Sequence, residues 1–380
     1  MGGKNYFRVT ATIGKNPDGS RMRKQFLGAS KKEAEQKGDE FLENLKNGLN
    51  LNFEAMTLSE LMKIWLFRIV KTNASDNTFD RYESVYRNYV ASSNLAFLKV
   101  FKIERMHLQN HYSQMSEDNF TYSQIFNLNK LLKMFFNYAL DEGYIRKNPC
   151  IRLIIPKATK SEDEPENIDP FTNDEVRRIS EKASSSMKIL FLMGLATGMR
   201  RGELLGLRVK DVNLDSGLIN VQMALKKVKK FDSTGGHQRV TILEPPKTKT
   251  SIRSVPIPSA LIENLRQHLL SEEEKHLKLS ESFSSESLFF TSETCTAFDG
   301  KNIGTAWKRL LKRVEVRYRS FHNIRHTYAT RLFEARVPLI TISRLLGHAN
   351  TNITANIYIS VMPKEKESAA EELNYLFQFE

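Results

Sequence analysis

The chain has 380 residues, 40% of them hydrophobic and 27% charged, and only two cysteines, Cys150 and Cys295. That composition excludes a disordered chain, a disulfide scaffold and a four-cysteine zinc site; at about 150 residues per domain it provides for two or three domains. Fifty-seven lysines and arginines against 44 acids leave a net charge of +13, which favours a polyanion, nucleic acid before membrane, because phosphate contacts release condensed counterions.

In the first 32 residues Lys4, Arg8, Lys15, Arg21, Arg23, Lys24, Lys31 and Lys32 face a single acid, Asp18. Phe7, Val9, Ala11 and Ile13 alternate with polar residues, which predicts a strand with one buried face. Asn16, Pro17, Asp18 and Gly19 signal a turn, and residues 21–27 return as a second strand. Ser30 and Glu33 have capping-box spacing and open a helix stopped at Gly48. Two strands are marginal alone, so a third, short strand is expected. The N-terminus lacks the apolar core of a secretory signal, and the longest apolar run, residues 187–199, is broken by Lys188 and too short to cross a bilayer. A soluble cytoplasmic protein is expected.

From residue 57 to about 155 the pattern is helical. Leu58, Leu61, Met62, Trp65 and Leu66 form one stripe, and Tyr82, Val85, Tyr86 and Tyr89 another. A third, over residues 123–144, carries Ile125, Leu128, Leu131, Leu132, Phe135, Phe136 and Ala139. These aromatics lie on apolar stripes and read as core, within a domain of four or five helices. Residues 156–170, with the acidic run at 161–166, read as a linker. Thr172 and Glu175 then open a longer domain at another capping box. Its pattern is helices, two hairpin-like segments near 213–221 and 240–257, then helices, an α+β arrangement with a mainly helical body.

Four clusters in this domain carry chemistry. TGMRRGEL at 197–204 places Arg200 and Arg201 at a helix start, where guanidinium and backbone N–H groups can address one anion. EPPKTKTSIRSVP at 244–256 projects Lys247 and Lys249 from an expected hairpin tip, where an ammonium can protonate a substrate oxygen. HNIRHTY at 322–328 puts His322 and Arg325 on one helical face. His326 lies four residues past His322, but the zinc-protease pattern requires glutamate where Asn323 stands, so no metal is assigned. LLGH at 345–348 precedes Tyr358 by ten residues. Each cluster alone fits a solvated surface or a helix cap.

In this order (arginine, lysine, His-x-x-Arg, Gly-His, tyrosine) the motifs resemble the catalytic domain of the tyrosine recombinases, the phage-integrase family. The resemblance covers roughly residues 170–365. It implies a multidomain fold: a small α+β arm-binding domain at 1–50, an all-α core-binding domain at 57–155, the linker at 156–170, and a mainly α (α+β) catalytic domain at 171–380 with a C-terminal helix. It implies that Arg200, Lys247, His322, Arg325 and His348 surround a scissile phosphate and that Tyr358 is the nucleophile, with Lys249 a rival to Lys247. Arg201 falls at a variable position of the motif, and Glu203 reads as a partner orienting the basic groups. Arg8, Arg21, Arg23 and Lys24 become arm-DNA contacts. The implied activity integrates or excises a mobile element through a 3′-phosphotyrosine, without cofactor or metal, as a homotetramer on core and arm sites in duplex DNA, associated with the nucleoid when bound. An excisionase or a DNA-bending host factor is a partner by analogy, and the terminal segment, with Leu373, Leu376 and Phe377 at helical spacing, would dock on a neighbouring protomer. The alternatives are a resolvase or type IB topoisomerase-like enzyme, and a DNA-binding protein that keeps the fold without cleaving.

Overall fold

The computed structural model describes residues 6–15, 20–46, 56–156, 169–232, 235–246, 248–352 and 354–355. Within these the chain divides into two compact units, one of residues 1–161 with 231–237, the other of 162–230 with 238–380.

In the first unit, strands β1 (Phe7–Lys15) and β2 (Arg21–Gly28) pair antiparallel, Val9 opposite Phe26 and Thr12 opposite Arg23, with a register shift between Thr12 and Gly14. Period-two alternation sends Arg8, Thr10, Thr12, Arg23, Gln25 and Leu27 to an exposed face and Phe26 toward helix α1 (Lys31–Lys46), whose Phe41 ring lies 5.2 Å from it. Arg21 is exposed as well. Lys24 belongs to the helix-facing side, its ammonium 3.9 Å from the Phe41 centroid. The start of α1 is held by Ser30 Oγ, which accepts from the Glu33 amide, and by Glu33, which accepts from the Ala29 amide. No third strand joins this sheet among the described residues.

The helical part of this unit starts at α2 (Leu58–Trp65), opened by a capping box between Thr57 and Glu60. It continues through a π turn (Leu66–Val70) into α3 (Lys71–Asn73), then α4 (Asp76–Tyr89), α5 (Arg105–Glu117) and α6 (Tyr122–Asp141). All seven residues of the expected α6 stripe are buried, and Phe135 meets Trp65 edge-on at 5.5 Å. Each leucine, isoleucine and phenylalanine of the stripe contributes about 1.5–3 kcal/mol by leaving water, so this stripe, rather than helix propensity, holds the bundle together.

The second unit opens with α7 (Asn173–Lys182), capped by the expected box between Thr172 and Glu175. Helix α8 (Ser185–Thr197) is apolar on most sides and is accordingly central, packed by α7, by α10 (Ser259–Lys278) and by α12 (His322–Glu334). Helices α9 (Arg201–Leu205), α11 (Gly300–Arg313) and α13 (Leu339–Leu346) complete it, and Trp307 of α11 anchors the core against Phe171, Phe191 and Phe321.

The hairpin expected near 213–221 is present, whereas the one expected near 240–257 is not. β3 (Val212–Asn213), β4 (Leu218–Val221) and β7 (Arg253–Pro256) form one sheet in that order, whereas β5 (Ala224–Phe231) pairs with β6 (His237–Glu244). The described strands on either side of position 247, β6 and β7, therefore belong to different sheets and do not form a hairpin with each other. The cause is β5 itself. Its sequence ALKKVKKF buries only Ala224 and Val228, so the lysines between them hide the strand period. No helix among the described residues is long and apolar enough to cross a membrane.

Candidate active site

The site is assembled at two helix ends. Helix α8 stops at Gly198, a left-handed residue (φ +61°) where an added Cβ would stand 2.3 Å from the Tyr328 ring, so only glycine permits both the turn and the approach of α12. Two residues later Arg200 caps α9. Its backbone N–H donates to Glu203 Oε2 at 2.9 Å and its Nη1 to Oε1 at 2.8 Å. Glu203 is 3% exposed and also accepts from Arg253 Nη2 at 3.0 Å. Burial would raise its carboxyl pKa, but the charge and hydrogen bond of Arg253, followed by those of Arg200, outweigh that and hold it below the usual carboxylate range.

The second end is that of α13, closed by Gly347 in the left-handed region (φ +66°). The last carbonyls of a helix have no partner within it. Here three successive ones are taken by three different arginines. Arg253 Nε donates to Leu345 O at 2.6 Å, Arg325 Nη2 to Leu346 O at 2.6 Å, and Arg200 Nη2 to Gly347 O at a long 3.4 Å. Arg325, 3% exposed, is fixed further by donating to Gly198 O at 2.8 Å, so it ties both helix ends together. Burial first, and then the Arg200 charge, push its pKa down to about 9, which leaves it protonated at neutral pH.

Two histidines face these cations. His322 starts α12 and keeps an exposed edge while its ring meets that of His326 at 4.7 Å. Its pKa falls to about 4, through burial of the rest of the ring and then the charges of His326, Arg325 and Arg200. His348 follows Gly347, with Nδ1 2.7 Å from Thr354 Oγ1. Burial, then Arg325, Arg200 and Arg253, push it down to about 3. Both rings are neutral at pH 7, each able to donate one hydrogen bond and accept another. Three guanidinium groups against the one carboxylate leave an excess of positive charge suited to a phosphodiester, and the long Arg200 bond to Gly347 O is the readiest to exchange for an anion.

The structure thus brings together Arg200, His322, Arg325 and His348. Lys247 and Tyr358 lie outside the described residues, as do the Lys249 side chain and the terminal segment. The residues just after Lys247 border the site, since Thr250 O lies 3.1 Å from where a Cβ on Gly347 would be. Arg253 was missed from sequence. Its signal was present: Arg253, Val255 and Ile257 alternate along β7 and just beyond it, which points an arginine to the buried face of a strand.

Comparison with known proteins agrees with this geometry. A family model described as the phage integrase family matches residues 170–365. The chain is 44% identical, over 99% of its length and 97% of the relative's, to a tyrosine recombinase XerC-like protein of Caldanaerobacter subterraneus subsp. tengcongensis. It is 24% identical to the integrase of Staphylococcus phage L54a, over 88% of this chain and 98% of that one. It is 23% identical to the ICEBs1 integrase of Bacillus subtilis, over 97% of each. Among solved structures, the Tn1549 transposon integrase in complex with a circular intermediate DNA shares the fold, with a TM-score of 0.67 at 21% identity, over 84% of this chain and all of that one.

Proposed function

The chain belongs to the phage integrase family of tyrosine recombinases, enzymes that break and rejoin DNA, and from that premise we propose that it recombines the attachment sites of a mobile element through a covalent 3′-phosphotyrosine at Tyr358. The observation that carries the reading is the sharing of one helix end by Arg200, Arg325 and the segment bearing His348.

A phosphodiester resists attack because charge accumulates on its non-bridging oxygens as the nucleophile closes. Arg200 and Arg325 receive that charge, and their forks are already held in place by carbonyls and by Glu203, so little reorganisation accompanies the reaction. The Tyr358 oxygen attacks phosphorus, the bond to the 5′-oxygen breaks, and Lys247 or Lys249 supplies the proton that makes the 5′-hydroxyl. His322, held neutral, accepts the phenol proton. His348 donates a hydrogen bond to the phosphate. The phosphotyrosyl ester conserves the energy of the broken bond, so rejoining needs no nucleotide.

Around this centre we assign residues 171–380 to the catalytic domain, 57–155 to core-site binding and 1–50 to arm-site binding through Arg8, Arg21 and Arg23 on the exposed sheet, with 156–170 as linker. Assembly as a tetramer on DNA, coupled through the terminal segment and aided by an excisionase or a DNA-bending factor, belongs to the same proposal. Relatives named as the integrase of a Staphylococcus phage and as the ICEBs1 integrase support the mobile-element reading. The test is a nicked duplex made from the DNA flanking the gene. Wild type should become covalently attached, while Tyr358→Phe should bind equally and remain unattached. Binding by both with attachment of neither would make the chain a DNA-binding protein that does not cleave.

A further inference from the structure

We infer that Arg253 is a positioning residue for strand cleavage, one that sets Arg200 through Glu203 and sets the His348 segment through the end of α13. Its guanidinium is spread over three acceptors, with Nη2 on Glu203, Nε on Leu345 O and Nη1 on Ser251 O at 3.0 Å, and its side chain is 6% exposed. With Nε, Nη1 and Nη2 each already on a protein acceptor, this group is suited to holding parts of the site in place rather than substrate. It contacts the carboxylate that holds Arg200 and the end of α13 from which His348 emerges.

Glu203 is the first route. It bonds Arg200 by both backbone and side chain, so the position of the Arg200 fork is the position of this carboxylate. A buried carboxylate with two cations leaves Arg200 partly available to an anion. With one cation it binds Arg200 more tightly, or it takes up a proton and releases it. Both outcomes misplace the group that receives charge from the phosphate. Leu345 O is the second route. Arg253 lies against Gly347, its Cδ and Nη1 each 3.1 Å from where a Cβ would be, so it walls the turn from which His348 emerges. It is also a residue of β7, and thus links the strand after Lys247 to both.

This inference rests on the covalent reading above, and a set of single-turnover rates separates the two. Full-length wild type, Arg253→Gln, Arg253→Lys, Glu203→Gln and the Glu203→Gln/Arg253→Gln double variant would be mixed with the nicked flanking duplex, and covalent attachment and DNA affinity measured separately. Arg253→Gln should attach about 100-fold more slowly, the scale of losing one aligned donor, with DNA affinity changed by less than about threefold. The double variant should be no slower than Arg253→Gln alone, because one residue acts through the other. The acid limb of the pH–rate profile should move to higher pH in Arg253→Gln, where Glu203 has lost a cation, and should stay in place in Arg253→Lys. Lysine keeps the charge but not the fork, so that variant should retain a native melt and be about tenfold slow, which preserves the test should the glutamine variant not fold. Arg253→Gln attaching at the wild-type rate would overturn the inference. So would losses that multiply in the double variant, a fixed acid limb, or Arg253→Lys at full speed. Wild type that never attaches would instead sink the covalent reading, and this one with it.

Discussion

Two basic regions of this molecule use the same charge for opposite purposes. In the pocket the guanidinium groups of Arg253 and Arg325 are buried, and their hydrogens are committed to Glu203 and to carbonyls at two helix ends. On the β1–β2 sheet Arg8, Arg21 and Arg23 stand exposed in water. A buried, committed cation has a fixed position and suits either acting on one oxygen or fixing a neighbouring group; an exposed cation acts at long range and is screened by salt. The pocket is therefore suited to chemistry and the sheet to salt-dependent affinity. Net charge, which both raise, distinguishes neither.

The strongest way to break this contrast is to remove the most committed cation. Arg325→Met leaves Gly198 O and Leu346 O without their donor. Each unsatisfied buried carbonyl costs about 1–3 kcal/mol, so the variant should melt well below wild type as well as lose covalent attachment altogether. Thermal denaturation beside the attachment assay reads both. Arg23→Ala, on the sheet, should change neither. An Arg325→Met protein as stable as wild type would show that the helix ends do not depend on this residue.

A smaller effect follows from the histidines. His322 and His348 have pKa values near 4 and 3 where 6.5 is ordinary, so between those limits the folded protein keeps them neutral while an unfolded chain would protonate them. Stability is therefore complete above about pH 6.5 and declines as pH falls toward 3. Arg325 and Arg200 contribute to both shifts, and a phosphate among those cations offsets their charge and raises both values. Binding of duplex DNA near pH 5.5 should consequently take up protons, seen by calorimetry in two buffers of different ionisation enthalpy, and His348→Asn should reduce the uptake. At pH 8 uptake should vanish. Equal heats in both buffers at the lower pH would mean that no phosphate reaches these arginines.

The same contrast explains what could be read from sequence. The α6 stripe was legible residue by residue because every third or fourth position is apolar and nothing interrupts it. Arg200, His322, Arg325 and His348 were legible only through the joint order of their motifs and its resemblance to a known family, since each motif alone fits a solvated surface or a helix cap; the structure gathers all four. What escaped was non-local. The two-sheet arrangement of β4 to β7 is decided by pairing partners, and lysines in β5 obscure its period. Arg253 escaped because its importance comes from contacts 50 and 92 residues away, visible in sequence only as an arginine where a strand turns inward. Lys24 shares the charge of its neighbours, but strand parity puts it on the other face.

That parity yields the finest test. If the exposed sheet face binds arm DNA, Arg8→Ala and Arg23→Ala should each lower the slope of log affinity against log salt by about one, the loss of one phosphate contact. Lys24 has the same charge and is adjacent to Arg23, but its ammonium covers Phe41. Lys24→Ala should therefore leave the slope unchanged and cost about 0.5–1 kcal/mol of stability, the scale of an exposed cation–π contact. Filter binding across a salt series, with a duplex carrying the arm sequences, separates the two. Equal slope changes at all three positions would mean that DNA senses only the charge of this module, and the division of the sheet into a binding face and a packing face would fail.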